Sequence, residues 1–297
     1  HSIDAALRAG FGWQLGPFEV WDTIGIAKGA EDARALGHTV APWIDEIIAG
    51  GFTSFYRMNE GVEECYNPAS KKYAPLPGAA HISAPSKLPA SSIVWTNGAC
   101  TVRHLGDGIL CCGWNTKMNT IGGEVLEGLN KAIDIAERDY RGLVIYNEGE
   151  NFSAGANVGM IFMFAAEQEY EELDIAVRYF QKTMMRMRYS SIPVVGAPHN
   201  LTLGGGCELN LHVDKVVAHA ELYMGLVEFG VGVIPGGGGT KEFALRTSDS
   251  FREGDIRMNT FRDRFLTVGQ AKVSTSAYEA FDHGYLRPGI DEVVVSR

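Results

Sequence analysis

Two glutamates stand beside glycine runs late in the chain. Glu208 closes the segment GGGCE (204–208), and Glu228 precedes PGGGGTK (235–241); a third glycine-bearing segment, FSAGA, spans 152–156. A carboxyl group can give or take a proton, and a glycine peptide can bring an unshielded N–H up to a ligand atom. Glycine loops also cradle phosphates, but a Walker loop needs lysine directly after its last glycine. Here the order is Gly239-Thr240-Lys241. A dinucleotide loop needs G-x-G-x-x-G after the first strand of a βαβ unit, with an acidic residue some way on, and neither run fits. Taken singly, each glutamate has a structural reading. Glycine loops serve turns and tight packing, and a glutamate in a first helical turn complements the helix dipole.

The local elements point toward chemistry instead. The strand at Val194-Val195 leads through a loop to Gly204–Gly206, where a helix is expected to start. N–H groups at a helix start have no intrahelical partner, and the dipole there favours negative charge. Such donors suit a thioester oxygen that becomes an enolate. Glu208 falls in the first turn of that helix, close to the oxygen. Glu228 ends a strand and loop (LYMGLVE, 222–228), with Gly230, Gly232 and the run from Gly236 letting it approach.

The elements that must hold these segments alternate. Ser92–Thr96, Cys100–Leu105 and Gly108–Trp114 read as a strand meander, with Gly106-Asp107-Gly108 as a tight turn. A helix is expected over about 122–138. The apolar run GLVIYN (142–147) follows as a buried strand, then a long helix over about 173–188, then strands at Pro193–Ala197 and Lys215–Ala220. Strands alternating with helices give an α/β domain. Residues 1 to about 60 read as mostly helical: Ile44, Ile47 and Ile48 lie at helical spacing with Asp45 and Glu46 on the solvated side. Gly50-Gly51 ends that helix, and Pro17 opens a short one. Between 63 and 92 the prolines at 68, 75, 77, 85 and 89 suggest a linker.

Taken together, the segments Phe152–Asn157 (FSAGAN), Leu203–Glu208 (LGGGCE) and Glu228 through Ile234–Thr240 (IPGGGGT) resemble the enoyl-CoA hydratase/isomerase (crotonase) family in order and spacing, over about residues 92–297. The resemblance implies a crotonase-like ββα spiral domain. It implies that the Ala156 and Gly205 backbone N–H groups form an oxyanion hole for the thioester carbonyl. It assigns Glu208 and Glu228 to the two catalytic carboxylate positions, with Glu208 helping to activate water and Glu228 exchanging the proton at C2. The expected reaction is hydration of a trans-2-enoyl-CoA to a 3-hydroxyacyl-CoA in fatty-acid β-oxidation, a lyase activity needing no cofactor beyond the coenzyme A carried by the substrate. Isomerase members act with one carboxylate, so Δ3-Δ2 isomerisation is the alternative, as is a non-catalytic acyl-CoA-binding domain. For coenzyme A the resemblance points to the backbone around Ser153 and Ala154, with Lys117 as a candidate phosphate contact. Asn157 stands where the family often has Asp, a position open to helix capping.

Residues 1–75 have a resemblance of their own. Arg8–Trp13 (RAGFGW), Gly16–Asp22 (GPFEVWD) and Ile24-Gly25 look like the helical C-terminal region of 3-hydroxyacyl-CoA dehydrogenases. This implies a bifunctional parent with an NAD-dependent dehydrogenase placed first and the hydratase second. The NAD fold would lie upstream, and this piece alone is expected to lack dehydrogenase activity.

The bulk properties narrow the partners. A net charge of −10 argues against nucleic acid as a general partner. The start of the chain shows no signal-peptide pattern, His1 suggests a processed end, and no run of about 18 apolar residues suggests a membrane span. Five cysteines without a C-x-x-C pair fit neither a disulfide framework nor a zinc site, and favour a reducing, cytoplasmic setting. His199, His212 and His219 do not share ligand spacing and read as core or surface residues. Met184, Met185 and Met187 read as helix packing, and 249–264 as a solvated charged stretch. The family resemblance allows homo-oligomers.

Overall fold

The computed structural model describes residues 1–59, 62–77 and 84–295. The chain divides into two compact units, His1–Pro89 and Ala90–Arg297.

The first unit opens with four helices, α1 (Ser2–Phe11), α2 (Pro17–Ile24), α3 (Ile26–Ala35) and α4 (Pro42–Ala49). Pro17 and Pro42 sit in the first turns of α2 and α4, where a missing N–H costs nothing. Ile44 and Ile47 of α4 are buried with Ile26, Ala30 and Phe55, and Asp45 and Glu46 are exposed. Of the two glycines after α4, only Gly51 takes a positive φ. The first part of the expected linker is instead a sheet: β1 (Tyr56–Asn59), at the end of the stretch read as mostly helical, β2 (Val62–Asn67) and β3 (Lys72–Pro75) are antiparallel in the order β1-β2-β3. Tyr66 and Tyr73 of β2 and β3 pack edge to face with Phe52, and that aromatic burial holds the strands. Pro75 is tolerated because it ends an edge strand. Of the rest of that linker, 78–83 lie outside the described residues, and Pro85–Lys87 and Ala90–Ser92 form short 3-10 turns. Asp22 ties helix to sheet, its carboxylate accepting from the Phe55 and Tyr56 N–H groups at 2.6 and 2.9 Å.

The second unit is built on a seven-stranded sheet. The strands β4 (Ile93–Thr96), β5 (Cys100–Gly106) and β6 (Ile109–Trp114) are antiparallel. Gly106, Asp107 and Gly108 all take positive φ in the turn between β5 and β6. From β6 the pairing becomes parallel through β7 (Gly142–Ile145), β8 (Val194–Gly196), β10 (Lys215–His219) and β12 (Glu292–Val294), giving the order β12-β10-β8-β7-β6-β5-β4. The crossovers are α5 (Gly123–Asp139) and α7 (Tyr170–Arg188). Val125, Leu129, Ala132, Ile133 and Ala136 put one face of α5 into the core, and Met184 and Met187 do the same for α7. Burying one such aliphatic side chain contributes about 1.5–3 kcal/mol.

A second, smaller layer carries the glycine segments. The strands β9 (Asn200–Leu203) and β11 (Leu222–Gly225) pair in parallel. Single bridges extend the row on both sides, Ser153 to Thr202, Ile121 to Ala156 and Gly225 to Val273. The sequence reading treats the approach to Gly204 as a loop; its last four residues are β9. Four further helices follow or flank these strands: α8 (Gly205–Leu211), α9 (Gly239–Asp249), α10 (Arg257–Gly269) and α11 (Ala277–His283). Before α7 lies α6 (Val158–Ala166), which Asn157 caps by accepting from the Met160 N–H at 3.3 Å. Among the described residues no helix is long and apolar enough to cross a membrane, and no cluster of His, Cys, Asp and Glu could hold a metal ion.

Candidate active site

The FSAGA segment is held open by its neighbours. Ser153 sits between Leu201 and Leu203 of β9, donating its N–H to Leu201 at 3.0 Å and accepting from Leu203 at 2.9 Å. Its buried hydroxyl donates to the Asn119 carbonyl at 2.7 Å and accepts from the Gly155 N–H at 3.1 Å. Asn119 in turn anchors the loop, its side-chain amide donating to the Asn151 and Glu148 carbonyls. Asn147, two residues past β7, does the same, accepting from the Trp114 N–H and donating to the Phe152 carbonyl at 2.6 Å.

These bonds fix the direction of the next peptide. Gly155 has φ of 96°, and its carbonyl accepts from the Ile121 N–H at 2.8 Å. The following amide, that of Ala156, donates no hydrogen bond among the described residues. The Gly205 amide opens α8 and is likewise without an acceptor among them. Gly204, at φ 51° and ψ −121°, makes the turn that presents it, a conformation open to glycine alone in practice. The two amides are neighbours: a Cβ on Gly205 would lie 3.1 Å from the Ala156 nitrogen, and one on Gly155 would lie 2.9 Å from the Gly205 nitrogen. Two unpartnered donors from two loops therefore converge where one oxygen could take both. Removing the Ser153 hydroxyl should leave the buried Gly155 N–H unsatisfied. We expect Ser153→Ala to lower stability by about 1–3 kcal/mol, measured by urea unfolding.

The two carboxyls flank these donors. Glu208, in the first turn of α8, is buried, and its Oε1 accepts from the Gly239 N–H at 2.8 Å. Burial first, and then the Glu228 charge, push its carboxyl up to about 8, against the pull of the 237–239 amides. Glu228 opens a short 3-10 turn after β11, and burial pushes its carboxyl up to about 7. Its Oε2 is buried without a hydrogen-bond partner among the described residues. Carboxyls that repel each other in a dry site do not both ionise near neutrality, so the pair can hold one proton and offer one base.

The glycines serve the glutamates differently from their order in the sequence. The run beginning at Gly236 lies against Glu208, not Glu228: Cβ atoms on Gly237 and Gly239 would lie 2.4 and 3.0 Å from its oxygens. It is Gly204 that lies beside Glu228, 3.3 Å separating a Cβ there from Oε1. Gly230 and Gly232 approach neither carboxyl. Phe180 of α7 closes one side, its ring 3.0 Å from a Cβ on Gly205 and 2.6 Å from one on Gly237.

The residues expected to meet coenzyme A divide. Ser153 is spent inside the protein through its N–H, carbonyl and hydroxyl, so it supports the loop and offers no free group. The Ala154 amide is also used, donating to the Met118 carbonyl at 3.1 Å. That bond places the exposed Lys117 one residue from Ala154's partner. Of the three histidines, His212 is fully buried and the other two are not. His212, read from the sequence as a core or surface residue, is therefore a core one, one helical turn after Glu208.

Comparison with known proteins places the fold and the sequence in a family. Residues 114–250 match the model of the family described as Enoyl-CoA hydratase/isomerase. The second unit belongs to that family. It is 39% identical over 297 residues to a probable 3-hydroxyacyl-CoA dehydrogenase of Bacillus subtilis, covering 100% of this chain and 37% of that protein. It thus spans little more than a third of the length of that relative. A probable enoyl-CoA hydratase of Bacillus subtilis is 32% identical over 129 residues, 43% of this chain and 49% of that one. Among solved structures, an enoyl-CoA hydratase from Bacillus anthracis superposes with a TM-score of 0.54 at 25% identity, over 66% of this chain and 70% of that one. The mixed α/β fold of the second unit is that of these hydratases, and the helices of the first unit accord with the expectation for the N-terminal segment.

Proposed function

We propose that the second unit is an enoyl-CoA hydratase, adding water across the 2,3 double bond of a trans-2-enoyl-CoA to give the 3-hydroxyacyl-CoA. One observation carries this reading: two carboxyls with raised proton affinity flank a pair of converging, unpartnered backbone donors. The thioester oxygen accepts from the Ala156 and Gly205 N–H groups. As negative charge gathers on that oxygen, these fixed dipoles stabilise it without reorganising.

Glu208, held by the Gly239 amide, takes the proton of water as the water oxygen attacks C3. Glu228, whose Oε2 has no partner to surrender among the described residues, delivers a proton to C2 as the enolate collapses. One proton leaves water and one reaches C2, so the pair keeps a single proton through the turnover. Nothing in this sequence of steps calls for a metal or a redox cofactor. Lys117, exposed and next in sequence to the residue that accepts from Ala154, is assigned to a phosphate of coenzyme A.

The longer protein is assigned a second activity, an NAD-dependent 3-hydroxyacyl-CoA dehydrogenase, which would consume the hydratase product in fatty-acid oxidation. The relative named as a dehydrogenase, matched along the whole of this chain, supports that assignment. The test is the loss of enoyl absorbance when the chain meets crotonyl-CoA. Hydration is the expected result. Faster conversion of a 3-enoyl-CoA would replace it with isomerisation, and binding of coenzyme A thioesters without turnover would replace it with a binding role.

A further inference from the structure

The back of Glu208 is built in an unusual way. His212 lies one turn further along the same helix segment, fully buried, with Nδ1 2.7 Å from the Glu208 carbonyl. A carbonyl can only accept, so Nδ1 carries the hydrogen and donates it. The other ring nitrogen, Nε2, lies 2.9 Å from Nζ of Lys241. An ammonium can only donate, so Nε2 is unprotonated and accepts. The two contacts together fix one neutral tautomer. Burial above all, with the Lys241 charge adding to it, holds the ring's proton affinity down to about 4.

Lys241 belongs to the first turn of α9, the helix whose leading amides face Glu208. It is also paired with Glu242 at 2.6 Å and touches Met185 Sδ at 3.1 Å. Glu242 is buried and paired again with Arg188 at 2.8 Å. The ring of His212 lies directly under Gly238, where a Cβ would come within 2.7 Å of Cε1. The contacts close a circuit. It runs from the Glu208 carbonyl through His212 and Lys241 into α9, and returns through the Gly239 N–H to the Glu208 carboxyl.

We infer that His212 is a positioning residue for Glu208. As a neutral ring it ties the Glu208 backbone to the first turn of α9, and thereby fixes the distance at which the Gly239 amide grips the Glu208 carboxyl. His212 and Lys241 touch no reacting atom. The inference rests on the hydratase reading of Glu208, but one of its consequences can be read without turnover. The charged and titratable groups facing the two partners are Glu228 for Glu208, and Lys241, Glu242 and Arg188 for His212.

The test compares wild type with Lys241→Met, His212→Asn and the double variant. Lys241→Met keeps the side-chain stem and leaves Glu242 its pair with Arg188. His212→Asn keeps a donor near the Nδ1 position and loses the acceptor. With crotonyl-CoA, each single variant should lose kcat by about 10-fold to 10²-fold, the scale of a small misplacement of a reacting group, with KM nearly unchanged. Acting in series, the two changes should fall well short of additive in the double variant. Independently, an infrared titration should show the Glu208 carboxyl band, assigned by its loss in Glu208→Gln, moving to higher pH as the amide grip loosens. A wild-type kcat and an unmoved band in both single variants overturn the inference. So does a fall in Tm with kcat and the band unchanged, since that is a structural role only. A wild type that converts no enoyl-CoA while the band still shifts sinks the hydratase reading and leaves the positioning of Glu208 standing.

Discussion

Glu208→Gln is expected to lower kcat for crotonyl-CoA hydration by about 10²–10⁴-fold, the usual contribution of one general acid or base, and Glu228→Gln should do the same. Since the two carboxyls pass one proton between them, the double variant should lose far less than the product of the two. Stability should move the other way, and its sign follows from linkage. Both carboxyls are raised in the folded state, to about 8 for Glu208 and about 7 for Glu228, from an ordinary value of 4.5. Below 4.5 both carry their protons whether folded or not, and no penalty arises. Between there and the folded values the unfolded chain releases protons that the folded chain keeps, so stability falls as pH rises. A tenfold difference in proton affinity between the folded and unfolded chain corresponds to about 1.4 kcal/mol, so ionising this site costs a few kcal/mol by about pH 8. Urea unfolding should show wild type losing stability from about pH 5 to about pH 8, and Glu208→Gln showing a shallower slope. At the upper end of that range the inactive variant should be the more stable one. Equal slopes would mean that the pair is not held protonated, and full activity of either Gln variant would remove that glutamate from the chemistry.

Much of this arrangement was legible in the residues because it is local. The buried strand at Gly142–Ile145, the meander of β4 to β6 and the Gly106–Gly108 turn each follow from periodicity and turn chemistry within a few residues. The first part of the expected linker, up to Pro75, failed for the opposite reason. Its prolines were visible, but Tyr66 and Tyr73 are held by Phe52, and Glu64 pairs with Arg57, contacts that no window over 62–75 contains. The strand β9 was lost in the same way, since its partners are the distant Ser153 bridge and β11.

Within the site, the carboxyls and the two donor peptides could be read from glycine-flanked motifs. Their wiring could not. Chain order sets the Gly236 run nearer Glu228, yet α9 turns back so that its first amide meets Glu208. The spacing of His212 after Glu208 was equally plain in the sequence, but its meaning depends on Lys241, which arrives from another helix.

The second large effect is expected at Gly205. A methyl group there would stand 3.1 Å from the Ala156 nitrogen and 3.0 Å from the Phe180 ring, both closer than comfortable contact. The aromatic ring can yield by a few tenths of an ångström, whereas the Ala156 peptide is held by the Ile121 bridge and by Ser153 through Gly155. The added methyl should therefore occupy the space in which the substrate oxygen would sit between the two amides. Gly205→Ala is expected to lower kcat by about 10²–10³-fold, the cost of losing an oxyanion donor, while the stability change stays within the about 1–3 kcal/mol typical of overpacking. The same variant should lose affinity for an enolate-mimicking coenzyme A analogue by more than it loses affinity for the ground-state thioester, because the donors matter most where charge has developed. A parallel loss of both affinities would show a blocked pocket instead. An unchanged kcat would mean that these two amides do not hold the reacting oxygen.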